Sequence, residues 1–241
     1  RIIGRTKAMT GTRASEIIFI NESFYADSIS RSKMDILLSR AWRHFGNYFY
    51  RYSLSLYEED VRRVLPLRIR LKNFTFSKSQ RRSLRRNTDL RCEIRPIKIT
   101  EESNDLFHRH RVRFKHSIPD SIYCFLSSEP ATEPAPASEL AVYDGERLVA
   151  VSYFDEGIKA TSGIYAAFDP EIVDRRLGIF TMLKEIEYSI ETGRNFYYPG
   201  FAYEGESFYD YKKRFRSLEA FDWQGNWLPY DRNNERPGVA Q

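Results

Sequence analysis

The chain has 241 residues, and its 38 Lys+Arg against 33 Asp+Glu give a formal net charge of +5 at pH 7. With 41% apolar and 29% charged residues, the composition is that of a globular protein and excludes disordered or collagen-like classes. No apolar run approaches the roughly 18 residues of a membrane-spanning helix, and residues 1–11 lack the apolar core of a secretory signal. We therefore expect a cytoplasmic protein with no membrane partner.

Cysteine and histidine are too sparse to indicate a disulfide framework or a metal centre. The two cysteines, Cys92 and Cys124, fit a reducing compartment. Three of the four histidines, His108, His110 and His116, lie in one nine-residue stretch that also holds four Lys/Arg. Because those positive charges would repel a cation, the sequence predicts a solvated basic segment there and no metal site.

The first half of the chain carries a short helix and an amphipathic strand. Residues 34–42 have apolar side chains at helical spacing, which predicts a helix. Residues 65–71 alternate apolar and arginine side chains, the period of a half-buried strand. Three prolines within residues 127–139 then interrupt regular structure. We expect this loop to separate an N-terminal region, 1–126, from a C-terminal domain, 140–241.

Residues 77–87 predict a strongly basic helix between these elements. Arg81 with Arg85, and Arg82 with Arg86, stand at i,i+4 spacing, where like charges destabilise an isolated helix by a few tenths of a kcal/mol per pair. Five Lys/Arg lie in this stretch with no acidic residue among them. A solvated basic face is one interpretation, and contact with the phosphates of a nucleic acid is the other.

In the second half of the chain, apolar runs and turn residues predict a definite order of strands and helices. Two apolar runs meet around Asp144 and Gly145, the strongest short-range signal for a hairpin. A third strand, a glycine-bearing basic turn, a helix with one apolar stripe and a strand broken by Pro199 and Gly200 follow. In chain order, the predicted elements are the hairpin 140–154, a strand at 163–168, the turn 175–178, a helix from Ile179 to Gly193, a strand at 196–201 and a polar aromatic segment at 207–215.

This order is typical of the N-acetyltransferase (GNAT) fold. We therefore predict an α+β protein with a mixed, mostly antiparallel sheet flanked by helices, and a basic N-terminal region packed on it. In that fold the turn before the helix presents backbone N–H groups to phosphates, with help from the helix N-terminus. The broken strand opens a V-shaped gap for the acyl group.

The chain resembles the aminoacyl-tRNA-protein transferases, which include eukaryotic arginyltransferase and bacterial leucyltransferase. The resemblance runs from about residue 34 to residue 230, and the stretch Ser79-Gln-Arg-Arg82 is its most specific part. The matching stretches are Leu37–Gly46, Pro66–Arg68, Phe76–Asn87, Tyr165, Phe168–Pro170, Arg176–Phe180, Tyr197–Phe201 and Tyr211–Lys212.

The chain also departs from the family. Members usually carry an N-terminal cysteine cluster for a metal or an iron–sulfur centre, whereas residues 53–64 contain no cysteine, so we expect no such cofactor. Ala41 stands where glycine is common, and Pro199 replaces a usual leucine. The segment 206–210 lacks the family's cysteine and methionine.

The resemblance implies transfer of an aminoacyl group from a charged tRNA to the α-amine of an acceptor protein that begins with Asp or Glu, as in N-degron arginylation. An aminoacyl ester is already activated, so the enzyme has to position the amine and stabilise an oxyanion. We expect Asp155 to be the general base, with Tyr198 or Tyr211 as proton relays. Backbone N–H groups beside Pro199 and Gly200 are the expected oxyanion site. A strand-end carboxylate and a simple bulge are the structural alternatives for Asp155 and Gly200.

The remaining family residues predict the binding surface. The four arginines of the basic helix would contact tRNA phosphates or the acceptor's acidic side chain, since arginine pairs bidentately with carboxylates. The basic turn would contact the tRNA 3′ end, and tyrosines would stack on its terminal adenosine, although a strand tyrosine is more often part of the core. The expected tRNA and acceptor residues are Ser79, Gln80, Arg81, Arg82, Arg85, Arg86, Tyr165, Asp169, Arg175, Arg176, Gly178 and Lys212.

Three questions stay open at the level of sequence. The donor amino acid is arginine or leucine. The pair Trp42 and Arg43 slightly favours arginine. Asp169, Glu204 and Asp210 are available to bind the guanidinium of an arginyl donor. An acyltransferase that uses acyl-coenzyme A is an alternative, although the turn has one glycine where coenzyme A loops usually have more. A basic RNA-binding module without catalytic activity is the third interpretation.

Overall fold

The computed structural model describes residues 18–114 and 118–231. Within them are four α-helices: α1 (Arg31–Ser39), α2 (Lys78–Arg86), α3 (Glu101–Arg111) and α4 (Leu177–Glu191). The strands are β1 (Asn21–Tyr25), β2 (Arg43–Phe45), β3 (Tyr48–Tyr52), β4 (Leu54–Tyr57), β5 (Asp60–Arg70), β6 (Arg91–Pro96), β7 (Ala137–Asp144), β8 (Arg147–Glu156), β9 (Ala160–Phe168), β10 (Phe196–Tyr203), β11 (Leu218–Phe221) and β12 (Trp227–Pro229). None of the described helices is long and apolar enough to cross a membrane.

The strands form one large and one small sheet. The large sheet has the order β12-β11-β5-β10-β9-β8-β7-β6, with β4 paired to β5, and the small sheet has the order β1-β3-β2. Among the described strands only β9 and β10 pair in parallel. The predicted α+β architecture with a mixed, mostly antiparallel sheet is therefore confirmed.

Helices cover both faces of the large sheet. On one face α4 packs through Leu183 and Ile186 against Tyr197 and Leu67, and Leu84 of α2 joins the same cluster. On the other face lie α1, the small sheet and α3. Because side chains alternate along a strand, Tyr197 and its neighbour Tyr198 are buried on opposite faces.

The large sheet contains strands from both sides of the proline-rich loop. Strand β5 lies between β11 and β10, and β6 pairs with β7, which begins at Ala137 inside the predicted loop. Ala135, also in the loop, is buried in the α1 cluster. The loop thus divides the sequence at 127–139, while the sheet joins the two parts.

Local signals explain where the helices begin and end. The Ser30 side chain accepts a hydrogen bond from Lys33 N, so α1 begins at Arg31, three residues before its predicted start. It ends by Ala41, whose φ of +64° is a left-handed conformation that favours the glycine common in the family. Ser77 and Gln80 form a capping box at the start of α2, and Gly193, with φ of +72°, follows α4 as predicted.

Candidate active site between two diverging strands

The parallel strands β9 and β10 separate after three residue pairs, the last of which is Tyr198 with Ser162. The register of β10 then shifts between Tyr197 and Gly200, where φ is +97°, and the strand continues beside β5 only. Strand β9 runs on to Phe168 with this edge unpaired. This opening between the two strands, which we call the gap, is the V-shaped opening that the sequence predicts.

Arg43 of β2 occupies the narrow end of the gap. Its guanidinium donates hydrogen bonds to the Ser162 hydroxyl and to the Gly163 carbonyl oxygen. That carbonyl lies just beyond the last β9–β10 pair, so the arginine supplies a donor where the neighbouring strand no longer does. Arg43 is only 8% exposed, and a buried guanidinium of this kind places a fixed positive charge in the gap.

Lys212 approaches the same point from the opposite wall. Its Nζ donates to the Phe201 carbonyl oxygen at 3.1 Å. A Cβ built on Gly200 would lie 3.2 Å from Lys212 Nζ and 3.7 Å from Arg43 Nη2, so glycine lets both cations reach the backbone. Burial and the charge of Arg43 lower the pKa of Lys212 to about 7. The fixed charge of Arg43, together with Lys212 in its protonated form, makes this position suited to an oxyanion or carboxylate.

Glu185 of α4 and Tyr197 of β10 form the floor of the gap. The Tyr197 hydroxyl donates to Glu185 Oε2 at 2.6 Å, and the same oxygen lies 3.2 Å from the Cβ position of Gly163. Burial raises the pKa of Glu185 to about 7 and that of Tyr197 well above its ordinary value. Sequence reasoning missed Glu185, although an acidic residue beside the apolar stripe positions of α4 is the signal that could have identified it.

Asp155 is buried next to the gap and is bonded to a histidine. Its Oδ1 lies 2.9 Å from His44 Nε2, while His44 Nδ1 lies 2.8 Å from the Gly46 carbonyl oxygen. Because a carbonyl oxygen can only accept a hydrogen bond, His44 Nδ1 must be the donor to Gly46. The hydrogen bond between His44 Nε2 and Asp155 Oδ1 then needs a further proton, carried either by Nε2 or by the carboxyl group. The role of Asp155 as general base remains a prediction.

The two alternative relay tyrosines lie on opposite faces of the large sheet. Tyr198 is buried in the α1 cluster, and Trp227 contacts its ring edge-on. Tyr211 packs against the α4 cluster on the other face, and burial raises its pKa to about 12. Both phenols therefore hold their protons at neutral pH.

The basic helix α2 presents part of its predicted surface to solvent. Arg82 and Arg85 are exposed, and Arg81 is exposed and donates to the Phe76 carbonyl. Gln80 is buried as the cap partner of the Ser77 backbone N–H, which gives it a structural role. Ser79 lies in the same first turn, with its hydroxyl 3.1 Å from that of Ser77.

The basic turn before α4 is attached to α2. Arg175 forms a bidentate pair with Asp89 at 2.6 and 2.7 Å, and Arg86 donates to the Asp174 carbonyl oxygen at 2.6 Å. Arg176 is exposed and adopts a left-handed conformation with φ of +53° at the start of α4. Arg175 is thus held by a carboxylate, and Arg176 is the arginine of this turn that faces solvent.

Gly178 links this basic surface to the gap. A Cβ on Gly178 would lie 2.6 Å from Cε1 of Phe168, so glycine is required for the start of α4 to pack on the end of β9. Arg113 also lies over this ring, with its guanidinium carbon 4.5 Å from the ring centre. The end of β9 thus contacts both the basic turn and Arg113, which follows α3.

Two other predicted residues are held by the fold. Tyr165 stacks on Phe125 with ring centres 4.1 Å apart, and its hydroxyl lies 3.1 Å from His110 Nδ1. Asp169 is buried between Arg109, at 2.7 Å, and Arg147. Although burial opposes its ionisation, hydrogen bonds from the Glu171 N–H and from Arg109 keep the pKa of Asp169 below its ordinary value. Asp169 is therefore already paired and is not available to bind a donor guanidinium.

No metal site is formed by the residues that the structure describes, since no three or more His, Cys, Asp or Glu side chains cluster there suitably. His110 bonds to Tyr165, and burial together with the charge of Arg113 lowers its pKa to about 4. His116 lies outside the described residues. Residues 54–57 and 60–70 pair as the β4–β5 hairpin, and the region 53–64 contains no cysteine or histidine. Residues 53–64 therefore offer no thiolate or imidazole ligand for the cluster that the resemblance implies.

A diverging parallel strand pair, with a glycine-bearing basic turn and a helix crossing between the strands, is the arrangement of the N-acetyltransferase (GNAT) fold. Family models described as arginine-tRNA-protein transferase match residues 9–82, as its N terminus, and residues 102–222, as its C terminus. The chain belongs to the aminoacyl-tRNA-protein transferase family. It is thus an aminoacyltransferase, whose partners are a charged tRNA and an acceptor protein.

The chain is also similar to individual proteins. The aspartate/glutamate leucyltransferase of Marinobacter nauticus is 30% identical over 223 residues, which are 89% of this chain and 88% of the relative. The enzyme of the same name from Helicobacter hepaticus is 26% identical over 81% of this chain and 82% of its own length. A solved C-terminal domain of a lysylphosphatidylglycerol synthetase from Agrobacterium fabrum has a TM-score of 0.44 and 16% identity, covering 75% of this chain and 54% of that one.

Proposed function

We propose that this protein transfers leucine from leucyl-tRNA to the α-amine of proteins that begin with Asp or Glu. The observation that carries the proposal is the convergence of Arg43 and Lys212 on Gly200 in the gap. Relatives with similarity over most of the chain bear the name aspartate/glutamate leucyltransferase.

The charge of the gap favours a neutral donor side chain. Arg43, together with Lys212 whenever it is protonated, would repel the guanidinium of an arginyl donor in a site of low dielectric. Of the three carboxylates suggested for binding arginine, Asp169 is paired with two arginines, and Asp210 with Ser207 N and Lys213. Only the half-buried Glu204 is left among the three. For these reasons we prefer leucine, although the sequence pattern slightly favours arginine.

Aromatic side chains give the leucyl group an apolar wall. Phe201 follows Gly200 in β10, and the rings of Tyr52 and Tyr50 contact it edge-on at 5.5 and 6.2 Å. Burial raises the pKa of Tyr50 to about 12, so its ring stays uncharged at neutral pH. An aromatic wall of this composition suits contact with a branched aliphatic side chain.

We propose that the tRNA approaches along the arginines of α2 and the turn. Arg82, Arg85 and Arg176 are exposed, and the bonds of Arg175 to Asp89 and of Arg86 to Asp174 keep the two elements adjacent. Phosphate contacts by such side chains position a nucleic acid without reading its sequence. The terminal ribose ester would then enter the gap at the end of β9, beside Gly178.

The acidic side chain of the acceptor needs a cation at the mouth of the gap. Arg113 is exposed and, within the described part of the chain, makes no ion pair with a carboxylate. A guanidinium can bind a carboxylate through two parallel hydrogen bonds. We therefore assign recognition of the acceptor's Asp or Glu to Arg113.

Transfer needs no reactant besides the activated ester and the acceptor amine. The acceptor nitrogen attacks the ester carbonyl carbon, and the resulting oxyanion lies near Arg43 and Lys212. When the carbon–oxygen bond to the ribose breaks, an amide remains on the acceptor and a hydroxyl on the tRNA. We propose that this proceeds without a metal cofactor and in the cytoplasm, where charged tRNA is made and where Cys92 and Cys124 would stay reduced.

A transfer assay tests this proposal. Labelled leucyl-, arginyl- and phenylalanyl-tRNA are offered with peptides that begin with Asp, Glu, Asn or Ala. We expect leucine on the Asp and Glu peptides, at a rate that a metal chelator leaves unchanged.

Controls separate the alternatives. Transfer of arginine in place of leucine would contradict the proposed donor, and equal use of Asn and Asp peptides would contradict the acidic acceptor. Acetyl transfer from acetyl-coenzyme A would instead support the acyl-coenzyme A alternative. Arg113→Ala should reduce transfer to Asp peptides while the Lys159→Ala variant, with an exposed lysine at the other end of β9, stays at the parental rate.

A further inference from the structure

Lys212 is held in the gap by the structure around it. It belongs to the 3₁₀ segment Phe208–Arg214, which Ser207 caps. The next residue, Lys213, donates to the Gly205 carbonyl oxygen at 2.7 Å and pairs with Asp210 at 3.0 Å, which anchors this segment. Lys212 therefore points toward Gly200 because its chain neighbours are fixed, and not because an acid attracts it. Within the described residues its Nζ makes no ion pair.

The transfer reaction requires a group that handles one proton. A neutral acceptor amine that attacks the ester becomes positively charged and must lose a proton. The ribose oxygen needs a proton when its bond to the carbonyl carbon breaks. One base that removes the first proton and returns it to the leaving oxygen balances both steps without another reactant.

Other titratable groups near the gap are less suited to this task. Asp155 is 1% exposed and is bonded to His44. Glu185 lies on the floor and accepts from Tyr197 at 2.6 Å. The phenol of Tyr211 has a pKa of about 12 and therefore stays protonated at neutral pH.

We infer that Lys212 Nζ is a catalytic residue that takes the proton from the attacking amine and gives it to the ribose oxygen. This inference rests on the aminoacyl transfer described above, and it assigns to Lys212 a chemical role in place of substrate binding alone. The geometry places Nζ beside Gly200 and the Arg43 guanidinium, where the reacting carbonyl would lie.

The charged and titratable surroundings of Lys212 support a neutral amine near pH 7. Arg43 approaches from β2, and the rings of Tyr209 and Tyr211 lie 4.9 and 5.9 Å from Nζ in its own segment. The titratable groups of the floor, Tyr197 of β10 and Glu185 of α4, are bonded to each other. Burial and the Arg43 charge lower the pKa of Lys212 to about 7, which makes the free amine abundant at the pH of the reaction.

Single-turnover transfer rates of two variants test this role. Lys212→Met removes the base and its charge, while Lys212→Arg keeps a charge but cannot lose a proton at neutral pH. Both variants should lower the rate constant by about 10²- to 10⁴-fold at saturating acceptor and leave tRNA affinity unchanged. Lys159→Met, at an exposed lysine, should keep the parental rate.

The pH profile distinguishes catalysis from a structural role. The parent should show a rise in rate near pH 7 from Lys212, besides the rise near the acceptor amine's own pKa of about 8. Only the first rise should disappear in the Lys212 variants. A parental rate in Lys212→Arg, or a rise near pH 7 that persists in Lys212→Met, would overturn the inference.

The same experiment separates this inference from the proposed donor and acceptor. The variants are measured with whichever charged tRNA and peptide the parent uses most efficiently. If that donor is arginyl-tRNA, the leucine assignment fails while Lys212 is still tested. A parent that transfers no aminoacyl group from any charged tRNA overturns both.

Discussion

Lys212 lowers the stability of the folded protein at neutral pH. Its pKa falls from an ordinary 10.5 to about 7 on folding, so between these values the unfolded chain binds more protons than the folded one. Stability therefore rises with pH across that interval, and the penalty is fully present below pH 7. A lysine kept in such a place despite this cost fits a group retained for function.

We predict that Lys212→Met stabilises the protein while it reduces transfer. Removal of the buried ammonium should outweigh loss of its single hydrogen bond to Phe201, which is worth about 0.5–1.5 kcal/mol. A net gain of about 1 kcal/mol would raise Tm by roughly 2–4 °C for a chain of this size. Thermal unfolding of the variant and the parent at pH 6 and pH 10 measures this difference in Tm, which should be larger at pH 6. A variant less stable than the parent at pH 6 contradicts the prediction.

At the scale of elements, α2 and the turn before α4 act as one basic surface. The Arg175–Asp89 pair and the Arg86–Asp174 bond hold the helix to the turn, and Gly178 sets the turn against the end of β9. An isolated exposed ion pair adds little stability, so we interpret these contacts as fixing the direction of the arginines. The exposed arginines of α2 and of the turn are thereby held together beside the end of β9.

We predict that Arg82→Ala with Arg85→Ala weakens binding of charged tRNA, and that the loss is greatest at low salt. If each arginine neutralises one phosphate, the slope of log K against log salt should become shallower by about 1.4 to 1.8. Filter binding across a salt series measures this slope. Arg40→Ala, an exposed arginine next to α1 on the other face of the sheet, is the matched control. An unchanged slope would leave α2 as a solvated basic face.

At the scale of the whole molecule, the large sheet makes the two sequence regions dependent on each other. Strand β5, from the first region, lies between β10 and β11 of the second, and β6 covers the edge of β7. Without the first region, three strands would expose unpaired backbone groups. The buried Leu67 and Ile69 would also be missing from the α4 cluster.

We predict that residues 140–241 alone do not fold into a stable domain. The fragment should lack a cooperative thermal transition and show poor dispersion in its amide NMR spectrum, whereas the full chain shows both a transition and dispersed signals. Mixing the fragment with residues 1–126 should restore part of the transition. Cooperative unfolding of the isolated fragment would instead support an independent C-terminal domain.

Local sequence patterns account for most of the helices and strands. The Asp144–Gly145 turn, the apolar stripe of α4 and the capping residues Ser77 and Gln80 each act over a few residues, so sequence spacing predicts them. Predicted boundaries are less accurate where tertiary contacts extend an element. Strand β9 begins at Ala160, three residues before its predicted start, because it pairs with β8 and β10 there.

The family, the α+β order of elements and the basic helix follow from the amino-acid sequence alone, because short-range periodicity and matching motifs carry them. Which charged groups meet in the gap depends instead on the folded chain. Arg43, Glu185 and Lys212 come from three distant parts of the sequence. Burial raises the pKa of Glu185 and lowers that of Lys212. Tertiary contacts also pair Asp169 with Arg109 and Arg147. Partners and solvation of this kind depend on packing between remote segments, which residue spacing does not encode.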